Sequence, residues 1–143
     1  MSAVTAEESL RIELLEESFQ LLAPQGELLV DRFYSELFRR HPGVKPLFAN
    51  VDMKRQKQHL LSALVLVVSN LRNPARLRPA LTSMGRRHQG YGAQPEHYGA
   101  VASTMISVMA EVAGDLWNDR LQTAWSDAFQ FVASEMLAGH GTR

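Results

Sequence analysis

The 143-residue sequence has no cysteine, no long apolar run and no net charge. The lack of cysteine excludes disulfides, iron–sulfur clusters and thiol nucleophiles, and it is compatible with a reducing cytoplasm. The longest apolar stretch, "LVLVV" at 64–68, is far too short to span a bilayer, so no membrane insertion is expected. Lys+Arg and Asp+Glu balance at 15 each, which leaves no overall basic field to attract nucleic acid.

Targeting and catalytic signatures are also missing. The amino-terminal stretch "MSAVTAEESLRIELLEE" is acidic and has neither a basic n-region nor an apolar h-region, so no signal peptide is expected and the protein is predicted to be cytoplasmic. No Cys/His cluster suggests zinc, no carboxylate pair has hydrolytic spacing, and no glycine loop would cradle a phosphate. What remains is a ligand pocket or an interaction surface.

Helical periodicity dominates the residues that are present and predicts an all-α fold of about six to eight helices. Thr5 and Glu8 fit a capping box at the first helix, and a long helix is expected from about Asp52 to Asn70. Pro74 and Pro79 predict a shorter, interrupted helix that ends near His88. The "LVLVV" stretch alone would suit a buried strand, but the chain offers it no partner strand.

Later helices are bounded by proline and glycine. Pro95 suits the first turn of a helix that Gly114 ends, and Gly139 follows the last helix. Three apolar stripes are expected to face the core: Leu29, Phe33, Leu37 and Phe38; Val101, Met105, Val108 and Val112; Leu121, Trp125, Ala128, Val132 and Met136.

Three polar residues stand among these apolar positions. Tyr34 lies between Phe33 and Leu37, Gln56 lies one turn before Leu60, and His88 ends the proline-containing helix ahead of "QGYG". Each has an ordinary explanation when taken singly. A tyrosine at a core edge reaches water, a glutamine is usually solvated, and a histidine near a helix C-terminus is favoured by the helix dipole.

Taken together, these positions resemble the globin family over nearly the whole chain. The segment "MGRRHQGYG" resembles the one that carries the proximal haem ligand, which gives His88, and "PLF" resembles the turn whose phenylalanine packs on haem, which gives Phe48. The similarity is best to single-domain bacterial haemoglobins, the globin domain of flavohaemoglobins, and neuroglobin. In that register Gln56 and Tyr34 fall at distal ligand-contacting positions, and Leu60 at the apolar position one turn after Gln56.

The resemblance implies one globin domain over residues 1–143, a three-over-three helical sandwich that binds haem b through His88. The second ring nitrogen of His88 would donate to a backbone oxygen near Met84. Tyr34 and Gln56 would donate to bound dioxygen, and carbon monoxide and nitric oxide would be further ligands. A monomer or a homodimer is expected, with a reductase as a further partner.

The sequence departs from flavohaemoglobins on the proximal side. Those proteins link the proximal histidine to a tyrosine and a late-helix glutamate. Here Tyr98 keeps the tyrosine spacing, but the late position is matched by His140, and Glu135 would point elsewhere on its helix. An electron-rich proximal iron is therefore in doubt for this chain.

Two further positions stay open at this point. His59 is placed at the pocket mouth near a haem propionate, whereas a register shift of three residues would make it the distal histidine. Arg86 and Arg87 fit a solvated pair, and Arg87 is the alternative contact to a propionate.

Three functions are consistent with this pattern. The first is reversible binding of dioxygen and other small gases, for storage or transport. The second is nitric oxide dioxygenase activity with a separate reductase, or sensing of a gas or redox state. The third is a haem-free interaction module, against which His88 argues.

Overall fold

The computed structural model describes residues 6–141, with side chains described from Arg11 onward. Within this range the chain forms six α-helices and three short 3₁₀ segments, and no strand. The helices are α1 (Ala6–Leu22), α2 (Gly26–Arg40), α3 (Met53–Ser69), α4 (Pro74–Gly90), α5 (Pro95–Ala113) and α6 (Asp119–Ala138). The 3₁₀ segments are Ala23–Gln25, Pro42–Phe48 and Gly114–Leu116. The all-α prediction is confirmed; the predicted cap at Thr5 lies outside the described residues.

Helix ends follow local chemistry. The Asp52 carboxylate accepts the backbone N–H groups of Lys54 at 3.1 Å and Arg55 at 3.4 Å, which satisfies two free donors at the start of α3. Pro95 occupies the first turn of α5, and Gly114 ends it with a φ of 60°, a conformation that disfavours residues with a side chain. These boundaries agree with those predicted from the sequence.

Helix α4 differs from the prediction. It is not a shorter, interrupted helix but runs for 17 residues from Pro74 to Gly90, with Pro79 inside it. Proline removes a single backbone donor, and the carbonyl four residues earlier belongs to Ala75, an exposed residue where water can replace the lost bond. The helix therefore continues as far as His88 and beyond.

The core has two parts. The main cluster joins α1, α2, α3, α5 and α6 and includes Leu29, Phe33, Met105, Met109 and Trp125. A smaller cluster of Leu77, Leu81 and Met136 joins α4 to α6. Half-buried apolar residues pack against both, so the apolar interior does not close into one sealed core. Val101 was expected to face inward but is 36% exposed, so its place in the α5 stripe was wrong; the buried face of α5 carries Thr104, Met105, Ile106, Val108 and Met109 instead.

Two glycines allow α4 and α6 to approach at backbone distance. A Cβ on Gly85 would overlap the backbone of Met136, and one on Gly139 would overlap the carbonyl oxygen of Thr82. Only residues without a side chain permit this contact. It fixes the end of α4, and with it His88, against the carboxyl-terminal end of α6.

By length and composition, the segment Pro95–Leu116 is apolar enough to cross a membrane, with a mean hydropathy of 1.2 over its most apolar window. Its buried residues nevertheless pack in the main core against α2 and α6. Only 28% of that window is buried, so burial accounts for part of the apolar character of this segment.

Candidate functional site

His88 lies in the last turn of α4, and one of its two ring nitrogens already takes part in a hydrogen bond. Its Nδ1 is 2.7 Å from the carbonyl oxygen of Met84, one turn earlier, as the sequence predicted. A carbonyl oxygen only accepts hydrogen bonds, so Nδ1 carries a proton, and in the neutral form of the ring Nε2 keeps its lone pair. A half-buried neutral imidazole with a free Nε2 lone pair is a competent metal ligand.

Tyr34 and Gln56 meet across the contact between α2 and α3. The side-chain amide nitrogen of Gln56 donates to the Tyr34 hydroxyl oxygen at 3.1 Å. Because that oxygen accepts from Gln56, the Tyr34 O–H proton remains available for another acceptor. Burial raises the pKa of Tyr34, and the Gln56 hydrogen bond lowers it by less, so the hydroxyl stays protonated at neutral pH. The structure thus brings together two residues that the globin register singled out.

Aromatic packing holds the Tyr34 ring in place. Tyr34 is 5% exposed, and its ring centroid lies 4.9 Å from that of Phe33 and 5.7 Å from that of Phe48. Phe48 also contacts Phe38, at 5.4 Å between centroids. Phe48 and Leu60 are themselves only half-buried and lie at the edge of the main core. This edge is where an apolar ligand would complete the packing.

A set of polar contacts ties the end of α6 to α4 and α5. The Tyr98 hydroxyl lies 2.7 Å from Nε2 of His140. The Gln89 side chain donates to the Gly141 carbonyl at 2.9 Å and accepts from the Gly141 N–H at 2.8 Å. Burial raises the pKa of Tyr98, so its hydroxyl is protonated at neutral pH. We call these contacts of Gln89, Tyr98, His140 and Gly141 the carboxyl-terminal clamp.

The clamp agrees with one sequence inference and adds a residue that the sequence did not indicate. His140 is the partner of Tyr98, and Glu135 instead lies 3.5 Å from Arg78, away from Tyr98. Gln89 was not singled out, because a glutamine next to a histidine has no distinctive pattern and its partner is backbone 52 positions away. Only the tertiary structure brings the two together.

The other two predicted residues lie on the surface. His59 is exposed on α3, and Arg87 is exposed on α4, where it donates to the Ser83 hydroxyl at 3.1 Å. Neither side chain forms a hydrogen bond to the side chain of His88, Tyr34 or Gln56 in the described part of the chain. Their proposed contacts with a haem propionate stay predictions.

The site and the fold agree with comparisons to known proteins. The family model described as Globin matches residues 31–136, and the chain belongs to the globin family. A flavohemoprotein of Xylella fastidiosa is 31% identical over 86% of this chain and 31% of its own length. One of Rhizobium meliloti is 30% identical over 89% of this chain and 32% of its own length. The chain thus spans about a third of the length of these relatives.

Solved structures show the same fold. A bacterial globin from Campylobacter jejuni superposes with a TM-score of 0.78 at 22% identity, covering 92% of this chain and 93% of its own. An engineered carbene transferase derived from a putative nitric oxide dioxygenase of Rhodothermus marinus has a TM-score of 0.79 at 26% identity, covering 92% and 89%. The predicted globin fold is confirmed.

Family membership and the flavohemoprotein relatives imply that the chain binds haem. The residues present fit that group. The described part of the chain has no cluster of three or more His, Cys, Asp or Glu side chains that would hold a bare metal ion. A lone histidine such as His88 would suffice where a porphyrin supplies the other ligands to the iron. The half-buried apolar residues that pack against the two core clusters suit a flat apolar cofactor.

Proposed function

We propose that this protein is a haem b protein that reversibly binds dioxygen and other small gaseous ligands. The observation that carries this proposal is the hydrogen bond from Gln56 to Tyr34, which leaves a protonated and buried hydroxyl free to donate. Haem b would supply a ferrous iron to which diatomic gases bind reversibly.

On the proximal side, His88 would hold the cofactor through Nε2. The hydrogen bond from Nδ1–H to the Met84 carbonyl fixes the ring orientation and the tautomer, so no rearrangement is needed before a metal binds. A neutral carbonyl acceptor raises the basicity of the imidazole less than a carboxylate would. Moderate donation from the ligand favours a carrier over a peroxidase-like centre.

On the distal side, Tyr34 would recognise the bound gas. Dioxygen draws more electron density from ferrous iron than carbon monoxide does, so a hydroxyl donor stabilises bound dioxygen selectively. In an interior of low dielectric constant, one such donor contributes about 1–3 kcal/mol. Gln56 would hold the Tyr34 oxygen in place and leave its proton pointed away from the amide.

A second candidate is nitric oxide dioxygenase activity, in which nitric oxide, dioxygen and one electron give nitrate. The similarity to flavohemoproteins and to a putative nitric oxide dioxygenase favours it. In this function a separate reductase would supply the electron. The Tyr98–His140 contact distinguishes this chain from the tyrosine–glutamate arrangement that flavohaemoglobins use.

Absorption spectra of the ferric, ferrous and carbon monoxide forms, with a dioxygen titration of the ferrous form, test the first function. A Soret band and a reversible oxygenated spectrum are expected. Absence of a Soret band after addition of haem would contradict the proposal. Nitrate formation from nitric oxide at a rate set by the electron donor would favour the dioxygenase instead.

A further inference from the structure

A groove of about 190 Å³ lies between α1 and the amino-terminal end of α6, on a part of the surface that the proposed function does not use. Helix α1 contributes Leu14, Glu17, Ser18 and Leu21, which are spaced three and four residues apart and therefore share one face of the helix. Helix α6 contributes its N-cap and its first turn. The groove is thus formed where two helices meet.

The groove is remote from the candidate haem site. His88 is held near the carboxyl-terminal end of α6 through the close approaches at Gly85 and Gly139, whereas the groove lies at the opposite end of that helix. At 1.5 Å per residue, the 20 residues of α6 span about 30 Å. Tyr34 and Gln56 are not among the residues that line the groove. A substitution in the groove can therefore change a surface interaction and leave the haem site intact.

The polar groups of the groove already have partners within the chain. The Ser18 hydroxyl donates to the Leu14 carbonyl at 2.7 Å and accepts from Nε1 of Trp125 at 3.0 Å. The side-chain oxygen of Asn118 accepts from the Leu121 N–H at 3.0 Å and caps α6. Because these bonds serve the fold itself, the groove suits an apolar side chain better than a polar small molecule.

Two exposed leucines belong to the same region. Leu21 lines the groove and is 56% exposed, and Leu116, two residues before Asn118, is 57% exposed. A single exposed leucine is ordinary on a protein surface, whereas two of them beside an apolar groove form a patch that a partner can cover. Covering them would remove apolar area from water and stabilise the contact.

Two opposite charges line the groove without neutralising each other. Neither Glu17 nor Arg120 has an oppositely charged group within 4.0 Å among the residues that the structure describes. Arg120 lies with Asp119 in the first turn of α6, where the helix dipole disfavours a cation. A carboxylate that a partner brings to this border would pair with Arg120 and would itself be favoured by the dipole.

A second copy of this chain carries the complementary groups by symmetry. In a twofold interface both copies use the same patch, so Glu17 of one copy can meet the partner's Arg120 and the contact is made twice. The apolar side chains that fill the groove would be the exposed leucines of the other copy. Because the chain has no net charge, two copies approach without long-range repulsion.

We propose that this groove is the interface of a twofold homodimer, in which Leu21 and Leu116 cover the partner's groove and Glu17 pairs with the partner's Arg120. Two leucines and two charges on each copy place the contact at the weak end of protein interfaces. The dimer is therefore expected to form at high protein concentration and to dissociate on dilution. The inference adds an interaction surface to the proposed function and does not depend on it.

The decisive variants reverse the two charges singly and together: Arg120→Glu, Glu17→Arg and the double variant. Each single change sets like charges against each other twice in the dimer and should raise the dissociation constant about tenfold or more. The double variant restores opposite charges and should return to within about threefold of the wild type. Arg76→Glu is the matched control, since Arg76 is an exposed cation on α4 without a carboxylate partner among the described residues.

A second pair of variants tests the apolar part of the interface. Leu21→Lys places a charge in the patch and should abolish the dimer, whereas Val65→Lys replaces a 45% exposed residue on α3 and should not. Loss of folding is not expected in either groove position. A lysine near the carboxyl-terminal end of α1 and a glutamate in the first turn of α6 are both favoured by the helix dipole.

Sedimentation equilibrium of the full chain with haem added, from low micromolar to millimolar concentration, gives the dissociation constants. Circular dichroism should show the same helical signal in every variant. Monomers at millimolar concentration would overturn the inference. A dimer that no groove variant weakens, or that the controls weaken equally, would use another surface and would also overturn it. Single variants that the double variant does not rescue would show that the two charges do not pair between copies. None of these outcomes contradicts haem binding.

Discussion

The two sides of the candidate site are stabilised by different forces. On the distal side, Tyr34 packs against three phenylalanines, and its hydroxyl accepts a hydrogen bond from Gln56. On the proximal side, His88 is positioned by a backbone carbonyl, and the end of its helix is tied to α6 by the carboxyl-terminal clamp. One side depends on aromatic packing within the main core, and the other depends on hydrogen bonds and close backbone contact.

Because of this difference, we expect substitutions on the distal side to change gas binding and substitutions on the proximal side to change haem retention. A buried tyrosine can lose its hydroxyl and keep its ring, so the distal side tolerates changes that alter gas binding alone. The proximal side has few apolar residues to compensate for a lost contact, because its cluster consists of Leu77, Leu81 and Met136 with partly buried neighbours. Proximal substitutions are therefore expected to change haem retention and stability together.

The largest effect is expected for His88→Ala. This change removes the proposed protein ligand to iron, so the half-life of haem retention should fall by more than the roughly 10- to 100-fold that loss of an outer-shell partner costs. Haem transfer to apomyoglobin, followed by absorbance, measures it. Added imidazole should restore the spectrum, because it supplies the missing nitrogen. A variant with wild-type retention, alongside His59→Ala that loses haem, would show the register to be wrong.

The next largest effect is expected from a substitution at the contact between α4 and α6. Gly85→Ala would place a methyl group against the backbone of Met136, which has no flexible end to move aside, and should lower the free energy of unfolding by about 3 kcal/mol. Denaturant unfolding measures this. Gly99→Ala is the matched control, since nothing lies within 4 Å of a Cβ at that position. Because alanine favours a helix more than glycine does, this variant should raise the free energy of unfolding by about 0.5–1 kcal/mol. Equal stability of the two variants would contradict the close contact.

Local chemistry explains which features were predictable from the sequence. Asp52, Pro95 and Gly114 act within one turn of the helix ends that they define, so those boundaries were correct. The hydrogen bond from His88 to Met84 spans one helical turn and was predictable for the same reason. The effect of Pro79 was misjudged, because whether a proline interrupts a helix depends on the exposure of the carbonyl it leaves unpaired.

Features that depend on distant segments were accessible only through family resemblance or not at all. Only the globin register singled out Tyr34 with Gln56 and Tyr98 with His140, because spacing alone does not bring two helices together; their hydrogen bonds are findings of the structure. The contact of Gly85 with Met136 and the bond of Gln89 to Gly141 carried no sequence signal.

A substitution on the distal side should change the rate of dioxygen release and have little effect on haem retention. Loss of the hydroxyl in Tyr34→Phe removes about 1.4–3 kcal/mol of stabilisation, which accelerates dioxygen release by roughly ten- to more than a hundredfold. Stopped-flow dissociation from the oxygenated ferrous protein measures it. Carbon monoxide release is the internal control and should change less. Dioxygen release within twofold of wild type would contradict the distal role, and His59 would then become the donor to test.

The Tyr34→Phe variant should also differ from the wild type in its stability at alkaline pH. Burial raises the pKa of Tyr34 above its ordinary value of 10.0, so its contribution to stability is complete below pH 10.0 and is lost as pH rises through the higher folded-state pKa. Tyr34→Phe has no such group and should lose less stability over that range. Unfolding free energies measured at pH 8 and above pH 10 test this, and parallel losses in both proteins would contradict it.

The smallest effect is expected at the clamp, from His140→Leu. The change leaves the half-buried Tyr98 hydroxyl without its 2.7 Å partner and should lower the free energy of unfolding by about 1 kcal/mol. His140→Gln is the matched control, because its amide can still accept from or donate to Tyr98 and should retain most of that stability. Denaturant unfolding of the two variants gives the difference.

The iron–histidine stretching frequency in the same two variants decides whether the clamp tunes the iron. In the described structure, Nδ1 of His88 is bonded to the Met84 carbonyl, and no hydrogen bond connects Tyr98 or His140 to that ring. We therefore expect resonance Raman spectra of the ferrous forms to show the wild-type frequency in both. A lower frequency in His140→Leu that His140→Gln restores would show that the pair reaches His88 electronically. The proximal side would then depend on His140 as flavohaemoglobins depend on their glutamate, and its contacts would govern ligand chemistry as well as stability.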